Sequence, residues 1–274
     1  MKRPPKTERR NAIRSFAALL AAILIAAGTV GAFMAYDWLR DLWREQCAVT
    51  DFASQVRINS GKLVKSDVVA EVFGLRTGAN LATIDFAKKR AEALERHPAI
   101  RDIHIRRRLP NRVEIAVTER TPVVRMNIRG RKGDTGRVAD SEGVVFLCRR
   151  GTAMLPTIRE SQAPGTMPGN RLSGRTLAAL RLVEACRETD FLELGVLDVD
   201  ASKPDWLLAT LGDYSTAKIA WSGMDNPTEG NRGEMLSTLV NLRNAIRSKV
   251  GAGAVIWNAT NTGFVYSDTK EKIQ

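Results

Sequence analysis

The chain opens on one long apolar run and then settles into short stretches of helical and strand period. Residues 15–36, SFAALLAAILIAAGTVGAFMAY, are uncharged over 22 positions. As a helix at ~1.5 Å per residue they reach ~33 Å, enough for a bilayer core. The run continues into Tyr36, Trp38 and Trp43, aromatics that suit a membrane interface. A cleavable leader is the competing reading, with Val30-Gly31-Ala32 as its processing site. Its apolar region should be only about 7–15 residues and end in small polar ones, so the pattern predicts a retained transmembrane helix over 15–36.

From residue 52 the period shortens. FASQVRI alternates as a short strand. After Ser66, a candidate N-cap, Val69, Val72 and Phe73 repeat on one helical face. Asp85 is a second cap candidate; Ala87, Ala91 and Leu94 form the next helical stripe, which His97-Pro98 closes. IRDIHIRRR and RVEIAVTER then alternate with period two, with Ile103, Ile105, Val113, Ile115 and Val117 inward and Leu109-Pro110-Asn111 as the turn. The predicted order is strand–helix–helix–strand–strand, a small sheet with helices on one face.

The rest reads as mixed strands with two helices, so the fold class is α+β. RVADSEGVVFL predicts a hairpin through Ser141-Glu142-Gly143, and LAALRLVEAC (177–186) a helix. LDVD (197–200), WLLATL (206–211) and AKIAW (217–221) predict strands. Met235, Leu239, Leu242 and Ile246 form the cleanest helical stripe, and AVIW (254–257) and FVY (264–266) a final strand pair through Asn261-Thr262-Gly263.

Charge adds a topology. The formal net charge is +12, but its placement matters more. Before the apolar run stand Lys2, Arg3, Lys6, Arg9, Arg10 and Arg14; after it, Arg40 and Arg44 are offset by Asp37, Asp41 and Glu45. Basic flanks stay cytoplasmic, which predicts an exported 37–274. Residues 52–126 hold fifteen basic and eight acidic side chains. The densest stretch, RRRLPNRVEIAVTER, falls on the solvent face of the predicted hairpin, and residues 101–124 contain no aromatic to stack on bases. Nucleic acid is not the expected partner; attraction to acidic lipid head groups or to another protein stays open.

Catalytic motifs are missing from the sequence. There is no G-x-S-x-G, H-E-x-x-H, Walker loop or G-x-G-x-x-G, and GAGAVI (251–256) leads into a strand. His97 and His104 read as surface histidines, and Asp198 and Asp200 as a solvated strand face. Cys47, Cys148 and Cys186 contain no C-x-x-C and fit isolated or buried thiols better than one disulfide. No cofactor, metal or small-molecule substrate is expected.

Three stretches carry a resemblance: GANLATID (78–85), HPAIRDIHIRRRLPNRVEIAVTERTPVV, and RVADSEGVVF (137–146). In combination, the E-R-x-P step at Glu119, Arg120 and Pro122 and the D-x-x-G-V-x-F element at Asp140, Gly143, Val144 and Phe146 resemble the FtsQ/DivIB bacterial cell-division family. The resemblance implies a basic cytoplasmic tail (1–14), a transmembrane helix (15–36), a linker (37–51), a POTRA domain (52–126), a β-rich domain (127–266) and a short tail (267–274). It further implies a non-enzymatic scaffold of the inner membrane and septum. Other membrane division proteins of the FtsB/FtsL type would add a strand at the C-terminal edge, near Trp257, Phe264, Val265 and Tyr266. Family members often carry an acidic residue and an arginine where this chain reads WNATNTG. For Trp257 and Phe264 a core position fits equally well; Tyr266 is the better surface candidate. The alternative is a POTRA-type chaperone or ligand-binding protein of the envelope.

Overall fold

A computed structural model describes residues 6–128, 135–160, 164–221, 223–226, 228–249, 255–261 and 263–268. Residues 1–5 of the basic tail, most of GAGAVI, Thr262 and the end of the C-terminal tail lie outside the described residues. The expected apolar run lies within one helix, α1 (Lys6–Gln46). Its described side chains, from Leu24 onward, leave Leu24, Ile25, Phe33 and Met34 each 67% exposed. Among the described residues, no helix is long and apolar enough to cross a membrane.

The first sheet has the expected element order. After a short helix α2 (Phe52–Gln55) come β1 (Val56–Asn59), α3 (Ser66–Phe73), α4 (Phe86–Arg96), β2 (Ile100–Arg108) and β3 (Arg112–Glu119). The strand order is β1-β3-β2, with β1 parallel and β2 antiparallel to β3. Phe73, Leu81, Ile103, Val113 and Ile115 pack between sheet and helices. The strand expected over FASQVRI begins only at Val56. Asp51 caps the Ala53 N–H, and the Gln55 side-chain Oε1 accepts from the Thr50 and Asp51 N–H groups, so this local bonding winds 52–55 into a turn of helix. Asp85 caps α4 through the Lys88 N–H at 3.0 Å. Ser66, by contrast, is the first residue of α3, and Lys65 is the cap, with no side-chain bond.

The second sheet has nine strands in the order β12-β11-β10-β9-β8-β7-β4-β5-β6. Its strands are β4 (Val124–Ile128), β5 (Arg137–Ala139), β6 (Val145–Leu147), β7 (Thr157–Glu160), β8 (Asp198–Asp200), β9 (Trp206–Thr210), β10 (Thr216–Ala220), β11 (Ile256–Ala259) and β12 (Tyr266–Asp268). Helices α5 (Gly174–Ala185) and α6 (Glu229–Arg247) are crossovers, since β7 pairs parallel with β8 and β10 parallel with β11. Leu180, Leu182, Leu239 and Leu242 pack against Ile158, Val199, Leu207 and Ile219 from alternate strand positions. The opposite sheet face carries Arg159, Asp200, Leu208, Lys218 and Asn258 in one cross-strand row.

The end of β3 is fastened to the loop before α3. The Glu119 carboxylate accepts from the N–H groups of Lys62, Leu63 and Val64 at 2.9, 2.9 and 2.7 Å. A Cβ on Gly61 would lie 2.1 Å from Glu119 Oε2. Gly61→Ala is therefore expected to push the carboxylate off its donors and cost about 1–2 kcal/mol in a denaturation curve.

Candidate partner-binding edge and the junction behind it

β12 is the last strand of the nine, so one side of it has no strand neighbour among the described residues. It pairs antiparallel with β11, placing Asn258 opposite Tyr266 and Trp257 opposite Ser267. The register lies two residues later than the sequence pattern predicted for AVIW and FVY. Two asparagine side chains make the link: Asn258 Oδ1 accepts from the Thr260 N–H and hydroxyl, and Asn261 Oδ1 from the Gly263 N–H. Such turns use short polar side chains to set the chain's reversal.

The four sequence candidates separate. Phe264 and Tyr266 are 59% and 48% exposed, and their rings stack at 6.2 Å between centroids. Val265 packs partly on the main core. Trp257 is only 6% exposed and belongs to that core; its indole N–H has no partner among the described residues. Strand alternation explains this, because Trp257 and Ala259 face α6 while Asn258 faces away.

At the far end of the first sheet lies a junction that the motifs flagged without revealing their contact. The Arg120 guanidinium, with a side chain only 12% exposed, bonds Asp140 at 2.5 Å, Glu142 at 2.9 Å and the Pro98 carbonyl at 3.2 Å. Burial opposes the Arg120 charge, but the two carboxylates outweigh it and raise its pKa. Asp140 also accepts from the Glu142 and Val144 N–H groups, which shapes the β5–β6 turn at Gly143, φ +78°. Below the ion pairs, Val138, Phe146 and Cys148 pack on Leu63 and Ala99 of the first sheet's unit.

Glu142 also takes a bond from Arg101 at 2.6 Å, and the Arg120 and Arg101 bonds hold its carboxyl below the ordinary 4.5. A lowered folded pKa contributes stability above the unfolded value and loses it as pH falls through the folded one. The stability advantage of the wild type over Glu142→Gln is thus expected to persist at neutral pH and to fade as pH falls below the ordinary 4.5 in thermal melts.

Other titratable candidates are occupied structurally. Asp198 bonds Arg159 at 2.7 and 3.0 Å; burial raises its pKa more than Arg159 lowers it. His104 sits exposed, 3.2 Å from Asp102. All three cysteines are free and buried, and burial pushes the Cys186 thiol up to about 12. Among the described residues, no group of His, Cys, Asp and Glu side chains is arranged to hold a metal ion.

Residues 53–120 match the family model "POTRA domain, FtsQ-type". The chain carries an FtsQ-type POTRA domain. A curated relative, the cell division protein DivIB of Clostridium acetobutylicum, is 27% identical over 104 residues, covering 38% of this chain and 40% of the relative. Together the two matches support the FtsQ/DivIB resemblance seen in the motifs. The matched residues end at the Arg120 junction, and β12 lies in the C-terminal part beyond them.

Proposed function

We propose that this protein is a non-enzymatic scaffold of bacterial cell division, recruiting and linking membrane division proteins at the septum. In this reading residues 1–14 stay in the cytoplasm, 15–36 anchor the chain in the inner membrane, and the POTRA and β-rich domains are exported. A partner of the FtsB/FtsL type adds a strand to β12, with Phe264 and Tyr266 gripping its side chains. The observation that carries this is the conjunction of an FtsQ-type POTRA domain with a sheet that ends on a short open strand flanked by exposed aromatics. Strand addition needs that arrangement: main-chain groups supply affinity and flanking side chains selectivity.

Site-specific photo-crosslinking in cells tests it. A crosslinker at Tyr266 is expected to trap an FtsB/FtsL-type protein, while one at Met154, 95% exposed in the connection between β6 and β7, is expected to trap none. Equal yields from both sites would reject the edge. Capture of outer-membrane or secreted chains by the POTRA sheet instead would favour a chaperone.

A further inference from the structure

The POTRA hairpin points its arginines back toward the end of α1. β1 runs parallel to β3 with Val56 opposite Val113, so the β2–β3 turn at 109–111 shares an end of the domain with the segment entering from α1. Hydrogen bonds tie that end together. Asn80 donates to the Arg44 carbonyl at 2.8 Å, the Leu81 N–H to the Cys47 carbonyl at 3.0 Å, and Arg107 to the Leu81 carbonyl at 2.8 Å. Arg107 also lies over the Phe86 ring at 5.2 Å, so it positions the tip.

The remaining tip arginines are exposed. Arg106 and Arg112 are exposed and have no acidic partner among the described residues. Arg108, 69% exposed, shares Glu114 with Arg57 at 3.6 and 3.9 Å, so one carboxylate faces two guanidinium groups. Asp51, and Glu45 at the end of α1, add exposed negative charge at this end, and Arg76, whose carbonyl accepts from the Ala79 N–H, adds an exposed positive one. Leu109 projects between the arginines, 61% exposed.

From this geometry we infer that the hairpin tip is a docking surface for the anionic phospholipid head groups of the bilayer that holds α1. The inference rests on the anchor reading above. Trp38 and Trp43 on α1 are 66% and 48% exposed, in the manner of interfacial aromatics. Counting ~1.5 Å per residue, Gln46 lies ~15 Å beyond Tyr36, the end of the apolar run, and each polar head-group layer is itself roughly 5–7 Å thick. The end of the domain tied to α1 thus stands about one Debye length, ~8 Å, above the head groups. Arginines bind the phosphates and Leu109 enters the head-group layer, which fixes the tilt of the domain above the membrane.

The full chain in lipid nanodiscs tests this. A fluorophore is placed on Asn111→Cys, the native cysteines being buried, and quenching by head-group-labelled lipid is read. Quenching is expected to rise when phosphatidylglycerol is mixed into phosphatidylcholine, and to fall again at high salt. Each basic residue near such a surface is worth roughly five-fold, so Arg106→Glu with Arg112→Glu, which removes two positive charges and adds two negative ones, should lower the docked-to-free ratio by more than about 25-fold. An unchanged melting temperature shows that the variant folds. Quenching indifferent to lipid charge in chains that do insert overturns the tip contact alone. Chains recovered free of nanodiscs overturn the anchor reading, and with it this inference. Loss of partner crosslinking in the charge-reversed chain, with quenching unchanged, would assign the tip to a protein.

Discussion

Arg120→Ala is expected to uncouple the POTRA domain from the sheet that follows it. The substitution leaves Asp140, with a side chain 6% exposed, without its cation, and Glu142 with only Arg101 and, at 4.0 Å, Arg171. Removing one partner of a buried ion pair costs roughly 3–5 kcal/mol. Here two backbone N–H groups still bond Asp140, so the low end applies, about 3 kcal/mol. The loss should appear as a lower unfolding midpoint together with new proteolysis at Thr121-Pro122. That segment lies between Arg120, whose N–H bonds Ala99, and Val123, whose N–H bonds Ala139. Arg120→Lys should recover only part of the loss, because an ammonium cannot present the guanidinium's planar fork to two carboxylates and a carbonyl. A full-strength junction in Arg120→Ala would show that the Phe146 packing alone holds the two parts together.

Phe264→Ala with Tyr266→Ala is expected to abolish capture of the proposed strand partner while leaving the fold intact. Both rings are largely exposed, so their loss removes little core area. Aromatic anchors at interfaces are typically worth about 2 kcal/mol or more each, so affinity for a partner peptide should drop roughly 1000-fold. Trp257→Ala behaves differently: it removes a buried ring, costs about 3–5 kcal/mol of stability, and weakens binding only through the sheet. Titrating partner into each folded variant separates the two effects.

What the sequence revealed depended on how local each determinant was. The POTRA order was legible because each element carries its own period and cap: Asp85, for instance, bonds Lys88 three residues away. The stripe at Met235, Leu239 and Leu242 marked α6 for the same reason. Determinants acting across long separations were opaque. Glu119 bonds N–H groups more than fifty residues earlier, and Arg120 meets Asp140 only once two sheets have formed. Both residues drew notice as part of a motif, yet nothing in their spacing announced the contact. The final strands were found but misregistered by two residues, since AVIW and FVY carry the apolar residues while Asn258 and Asn261 set the turn. Phe264 and Trp257 admit core and surface readings alike from sequence. The sheet decides between them, burying Trp257 beneath α6 and leaving Phe264 in solvent.

The protein is proposed to be a septal scaffold whose last strands capture a partner. The most direct test is the position of an N-terminal fluorescent fusion in dividing cells, with residues 254–266 intact or scrambled. A mid-cell band from the intact protein and failed division when the last strands are scrambled are expected. An even distribution around the envelope, with division normal in both cases, would contradict the proposal.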